Sequence, residues 1–392
     1  MGRPGRLTAF PPALRTVAHV RVGVVLEQAL APVPGGTGRY ARELASALAR
    51  SGRPGDEVDS WVAAHRHTDD ARLPKVSGPH RFSLPAPVLA RAWARGTGPT
   101  PRGCDVVHAP TLLMPPVRDV PLVVTVHDVV PWTHPETLTP HGASWHREMG
   151  ARAAEHAAAV TVPTDAVATA LQEVLPNLDP ARLHVLGAGV STGLLDAARA
   201  PDAETTLLEL GVDRPFVLVV GTLEPRKGVD VAMEAMAALP AARRPLLVLV
   251  GATGWGGVEV GTLAAKAGLG EDDVRPLGRL ADVDLGVLMS RASAVLVPSR
   301  AEGFGLPVAE AMAVGTPVVV TDVPALVEVA GGCAAAVVPI GDALALADAV
   351  DALDHDPVAR ARRCAAARER ADSFSWDAVA VRAWELYRSL AG

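Results

Sequence analysis

Residues Ser299 to Asp322 read SRAEGFGLPVAEAMAVGTPVVVTD. An apolar run ending at Pro298 enters this stretch, and a second, TPVVVTD, leaves it. Between them lie a glycine-rich loop and an alanine-rich segment of helical character, the plan of a strand–helix–strand unit. The helix is expected to begin near Leu306, with Pro307 accommodated in its first turn. Gly303 and Gly305 allow the backbone to approach a ligand, and unpaired amides at the helix start attract an anion such as a diphosphate. Glu310, one turn in, is placed to accept hydrogen bonds from a ribose. Glu302, in the loop, is placed to meet sugar hydroxyls or positive charge developing on a sugar. The plain alternative is a helix start carrying two solvated acids.

A second unit of the same plan lies upstream as VVGTLEPRKGVDVAMEAM, Val219 to Met236, with Arg226 and Lys227 adjacent before the helix. A guanidinium fork and a point charge beside a helix start suit a pyrophosphate. Further outward, short β-branched runs alternate with helix-period segments along the chain. VRVGVVLE (from Val20), DSWVAA, DVVHA, PLVVTVHD, AAVTVP and RLHVLG form one series; PFVLVVG, PLLVLVG, VRPLG, ASAVLVP, TPVVVTD and AAAVVPI form another. Continuous apolar strands separated by helices indicate parallel sheets covered on both faces. The expected architecture is therefore α/β, with two Rossmann-like doubly wound domains facing a central cleft, the place where such sheets bind ligands. The expected boundaries are a disordered leader at 1–18, an N-terminal domain at 19–195, a linker at 196–213 and a C-terminal domain at 214–375. The amphipathic segment 376–392, apolar at Val379, Trp384, Leu386 and Leu390, is expected to return to the first domain.

Composition narrows the classes. At 392 residues the chain is too long for one ordinary core, and 49% apolar with 20% charged residues is globular. A net charge of −6 without a basic block argues against nucleic acid as a partner. Cys104, Cys333 and Cys364 are distant and odd in number, which suits neither a metal site nor a disulfide framework and points to a reducing cytoplasm. No apolar run is long enough to span a bilayer, and the first residues lack the apolar core of a signal peptide.

GTLEPRKG and EGFGLPVAEAMAVGTPVV closely resemble the paired signatures of family-4 retaining glycosyltransferases of the GT-B fold, with Glu302 and Glu310 as that family's E-x(7)-E. PGGTGRYARELASAL, VTVHDVVPWTHPE and PLGRLADVDLGVLMSRASAVLVPS agree, so the resemblance covers nearly all of the chain after about residue 18. It implies that Arg226 and Lys227 bind the donor diphosphate, that Glu302 contacts the donor sugar, and that Phe304, Gly305 and Leu306 offer backbone amides. It further implies that Glu310 holds the ribose, that the backbone at Arg279 and Leu280 meets the base, that Gly35 and Gly36 close over the phosphates, and that His127 reaches the transferring sugar. Many members carry Arg where this chain has Thr222, so the phosphate clamp here rests on Arg226 and Lys227.

Several motifs are weaker. GTGRYA, Gly36 to Ala41, matches a dinucleotide fingerprint, yet Glu27 to Pro34 separate it from its strand. Asp282-Val-Asp284 mimics a metal-binding D-x-D, but a helix start explains it better. His108 occupies a strand end like that of His127 and stays open; His65 and His67 read as surface residues, and Glu328 as structural.

The expectation is a retaining, metal-independent transferase that uses no cofactor beyond its donor, a nucleoside-diphosphate sugar with GDP-mannose the first guess from the GTLEPRKG variant. A sugar phosphorylase or epimerase of the same fold, or a silent sugar-nucleotide sensor, are the alternatives. The acceptor is unreadable: the region Arg66 to Arg102 lacks a motif, and peripheral contact with the inner face of a membrane stays open.

Overall fold

A computed structural model describes residues 19–199, 203–254 and 256–392; the expected leader lies outside them. The first sheet comprises β1 (Arg21–Val25), β2 (Glu57–Val62), β3 (Ser77–Arg81), β4 (Val106–Ala109), β5 (Leu122–Thr125), β6 (Ala159–Val162) and β7 (Leu183–Val185), in the order 3-2-1-4-5-6-7. The second comprises β8 (Phe216–Val220), β9 (Leu246–Val250), β10 (Val274–Gly278), β11 (Ala294–Val297), β12 (Val318–Thr321) and β13 (Ala336–Val338), in the order 10-9-8-11-12-13. Every named pairing is parallel, for example Val22 beside Val58 and Val106, and Val295 beside Val318. β4, β5, β6, β9, β11 and β12 are buried along their whole length. Helices on both faces require this, and it is why those strands read as unbroken apolar runs.

In both sheets the strand order reverses beside the first strand, between β1 and β4 and between β8 and β11. Loops leaving the carboxyl ends at these points diverge to opposite faces and open a crevice. The glycine segment at 35–36, the turn at 225–227 and the loop at 299–305 all follow strands at these switch points.

The terminal helix Trp376–Ala391 packs along helix Gly35–Ser51 and buries Trp376, Val379, Trp384, Leu386 and Tyr387; Leu390 is partly buried. Trp384 Nε1 donates to Leu48 O at 3.1 Å, and Arg388 ion-pairs with the buried Asp56 carboxylate at 2.5 Å. The expected linker is partly packed structure. Helix Thr192–Ala197 lies on helix Asp282–Arg291 so closely that a methyl at Gly286 would sit 2.4 Å from Leu194 O. Helix Ala203–Glu209 follows it.

The region 66–102, without a readable motif, contains β3 and helix Ala86–Ala94. β3 is an edge strand, SGPHR, with no fully buried residue, and the helix buries only Leu89 and Trp93. β3 carries no apolar alternation to announce it.

Candidate active site

The sequence …LEPRKG… makes a 3-10 turn at Pro225–Lys227, ended by Gly228 at φ 66°. A methyl at Gly228 would lie 2.0 Å from Pro298 O, so only glycine lets this turn rest on the end of β11. The turn thereby brings Arg226 and Lys227 against the loop that holds Glu302. Lys227 Nζ donates to Glu302 Oε1 at 2.5 Å, Ser299 Oγ donates to the same oxygen at 2.8 Å, and Arg226 Nη1 reaches Oε2 at 3.3 Å. Arg226 also donates to Ala301 O at 2.8 Å and to Glu224 Oε1 at 2.5 Å.

Burial by itself would raise the Glu302 carboxyl, but Lys227, Arg226 and the Ser299 hydroxyl outweigh it and hold the group at about 2. The Arg226 guanidinium, which burial would weaken as a base, is held above its ordinary value by Glu302, Asp128 and Glu224. Glu302 is thus a fixed anion whose two oxygens are both engaged. It is not a proton donor.

Helix Leu306–Val314 starts immediately after this loop and has no side-chain cap, and the same holds for helices Val229–Ala238 and Gly35–Ser51. A methyl at Gly36 would stand 3.8 Å from Leu306 Cδ1, and one at Gly35 would stand 4.0 Å from Thr222 Oγ1. Thr222 and the glycine segment therefore face each other across the cleft, with uncapped helix starts on both sides, an arrangement that favours a bound anion. Phe304 turns its ring inward, edge-on to Phe374 at 5.6 Å, and Gly305 is the residue immediately before the helix. Arg279 and Leu280 follow β10, with Arg279 exposed and Leu280 half-buried.

Glu310 is 1% exposed within helix Leu306–Val314. Its partner is Arg39, whose Nη1 stands 2.8 Å from Oε1. That oxygen still lacks a directed hydrogen bond, so the pairing is a charge contact with poor alignment. Burial pushes the Glu310 carboxyl up more than Arg39 pulls it down, with Asp282 and Glu43 adding to the rise. Arg39 also meets Asp282 at 3.2 Å. The fingerprint-like GTGRYA lies inside helix Gly35–Ser51, and Asp282 is the first residue of its helix, whose uncapped start follows Ala281. Sequence reasoning missed Arg39, whose partner is 271 positions distant; only the folded chain joins them (39 and 310).

His127 Nε2 stands 2.7 Å from Pro110 O and must donate there, which leaves Nδ1 as an acceptor in the neutral ring. Burial keeps the ring neutral by lowering its basicity, although the Pro110 carbonyl and Asp128 oppose that. Tyr40 meets the ring edge-on at 4.7 Å. His108 is wholly buried and spends both nitrogens, on Tyr387 Oη at 2.5 Å and Thr125 Oγ1 at 2.8 Å. Burial, with His127 nearby, lowers its pKa to about 3, so it fastens the terminal helix and is not a ligand-facing group. His65, expected at the surface, pairs with the buried Glu27 at 2.7 Å.

Two sheets of Rossmann order, facing switch points, and a carboxylate clamped by adjacent cations define a GT-B type of site. Residues 34–194 match the Glycosyltransferase Family 4 model and residues 207–370 the Glycosyl transferases group 1 model. A D-inositol 3-phosphate glycosyltransferase of Nocardioides sp. is 33% identical over 330 residues, covering 77% of this chain and 71% of that one. Glycogen synthase of Mycobacterium tuberculosis is 28% identical over 416 residues, covering 91% of each. Among solved structures, Anabaena HepE in complex with UDP and glucose superposes with a TM-score of 0.75 at 20% identity, over 95% of this chain and 100% of that one. The chain belongs to the family-4, group 1 glycosyltransferases, and it is a transferase.

Among the described residues no helix is long and apolar enough to cross a membrane.

Proposed function

We propose that the chain moves a sugar from a nucleoside-diphosphate sugar to an acceptor hydroxyl with retention of anomeric configuration and without a metal. The observation that carries this reading is the Glu302 carboxylate held by Lys227, Ser299 and Arg226 beside uncapped helix starts. In the reaction the bond from C1 of the sugar to the diphosphate oxygen breaks, and a bond from C1 to the acceptor oxygen forms on the same face. The acceptor proton passes to the departing diphosphate. Arg226 and Lys227 balance the charge that builds on the leaving group.

Both Glu302 oxygens are tied to donors, which disfavours attack on C1 and suits electrostatic support of a sugar carrying positive charge. His127 Nδ1 is available to accept from a sugar hydroxyl, and Glu310 from the ribose. Domain closure would exclude water and limit hydrolysis of the donor. GDP-mannose remains the first donor to try, on the strength of the GTLEPRKG resemblance. The acceptor class is a glycan, a lipid-linked sugar or a small glycoside, handled in the cytoplasm.

A thermal-shift panel with GDP, UDP, ADP and dTDP, each with and without magnesium, tests the reading. Selective stabilisation by one nucleotide at millimolar concentration, equal in both conditions, is expected. Hydrolysis assays with the matching sugar nucleotides would follow. No shift with any of the four would overturn the donor assignment and favour a phosphorylase.

A further inference from the structure

The two domains are fastened to each other by hydrogen bonds at helix Asp165–Val174. Helix Asp165–Val174 belongs to the first domain, and helix Pro324–Ala330 to the second. Glu328, on the latter, accepts from Asp165 N at 2.9 Å and from Ala166 N at 2.7 Å, one backbone amide on each oxygen. A carboxylate across the first two amides of a helix satisfies groups the helix cannot pair internally and faces the positive end of its dipole. Next to it is Thr164, 1% exposed. Its hydroxyl accepts from Val167 N at 3.2 Å and donates to Gly303 O at 2.9 Å. Gly303 follows Glu302 directly, and a methyl there would come within 1.7 Å of His127 O. Glu328, the helix start, Thr164 and the Glu302 loop therefore form one continuous set of hydrogen bonds across the domain boundary.

We propose that Glu328 and Thr164 are positioning residues: they latch the closed cleft and so hold the Glu302 loop against the strand end that carries His127. The latch rests on geometry independent of the donor, while its bearing on catalysis rests on the function proposed above. Because the helix start and Glu328 lie on different domains, opening the cleft must break both amide bonds together and release Gly303. Transfer then depends on Glu328 although both of its oxygens are spent on backbone amides.

The test uses the full chain. Amide hydrogen exchange is followed in Glu328→Ala, Glu328→Gln and Thr164→Val, with Thr164→Ser as the conservative control that keeps the hydroxyl. Exchange is expected to rise about tenfold in Glu328→Ala and Thr164→Val, both at residues 163–168 and in the loop 299–306. It should rise less in Glu328→Gln, which keeps one acceptor oxygen, and stay near wild type in Thr164→Ser. A rise confined to residues 163–168 would overturn the latch. If Glu328→Ala does not fold, the Thr164 pair decides the question in the same way.

Donor hydrolysis provides the second arm, with the sugar nucleotide identified by the thermal panel. Its kcat should fall about tenfold in the latch variants while nucleotide Kd changes less than about twofold. An unchanged kcat overturns the positioning role. A wild-type protein that hydrolyses no sugar nucleotide refutes the donor reading instead, and hydrogen exchange still decides the latch.

Discussion

Glu302 and Glu310 have the same side chain eight positions apart, yet their surroundings push them in opposite directions. Glu302 sits below its ordinary value because Lys227 and Arg226 overcome its burial; Glu310 sits above because a single misaligned guanidinium does not. For Glu302 the folded value of about 2 lies below the ordinary 4.5. The ion cluster therefore contributes stability that is full above about pH 4.5 and is lost as the pH falls through about 2. Urea midpoints of wild type and Glu302→Gln should converge on acidification, and parallel curves down to pH 2.5 would contradict the assignment. At neutral pH the same variant should lose about a hundredfold in donor turnover while binding the nucleotide nearly as well. Arg39→Gln strands the Glu310 carboxylate, 1% exposed, without its counter-charge and should cost about 2 kcal/mol. Pairing it with Glu310→Gln should restore most of that loss in a double-mutant cycle. An additive double mutant would mean that the pair has no energetic coupling.

At the scale of elements, the placement of Arg226 and Lys227 depends on how one turn is built. Gly228 is at φ 66°, and its absent side chain leaves room for the Pro298 carbonyl. Gly228→Ala should destabilise the chain by about 2 kcal/mol or more and pull Arg226 and Lys227 away from Glu302. A thermal scan checks the first effect and nucleotide affinity the second; wild-type values for both would refute this account of the turn. The elements with long apolar runs were legible in the sequence. β3 was not, because an edge strand has no buried face to pattern. The terminal helix could be read as amphipathic, but the role of Tyr387 as the partner of a buried histidine could not. A tyrosine on an apolar face looks like packing until the opposite surface is known.

At the scale of the whole molecule, the two domains meet backbone to backbone at one point as well as through side chains. Gly303 lies so close to His127 O that any side chain would hold them apart. Gly303→Ala should widen the cleft, seen as an increased radius of gyration in small-angle scattering, and should reduce donor turnover while leaving nucleotide affinity within about threefold. Unchanged scattering and turnover would show that the contact is dispensable. By itself the sequence determined the parallel α/β class, the two-domain division, and the candidate residues Arg226, Lys227, Glu302 and Glu310. Each of these follows from local pattern: strand composition, glycine placement, and the charge of residues flanking a helix start. The tertiary structure alone decided that His108 is spent in the core, that Arg39 faces Glu310, and that Glu328 reaches the amides of Asp165 and Ala166. Those pairings join residues far apart in the chain, 163 positions in the case of Asp165 and Glu328. Their energies depend on burial and on the distance between folded domains, quantities that no local window of sequence contains.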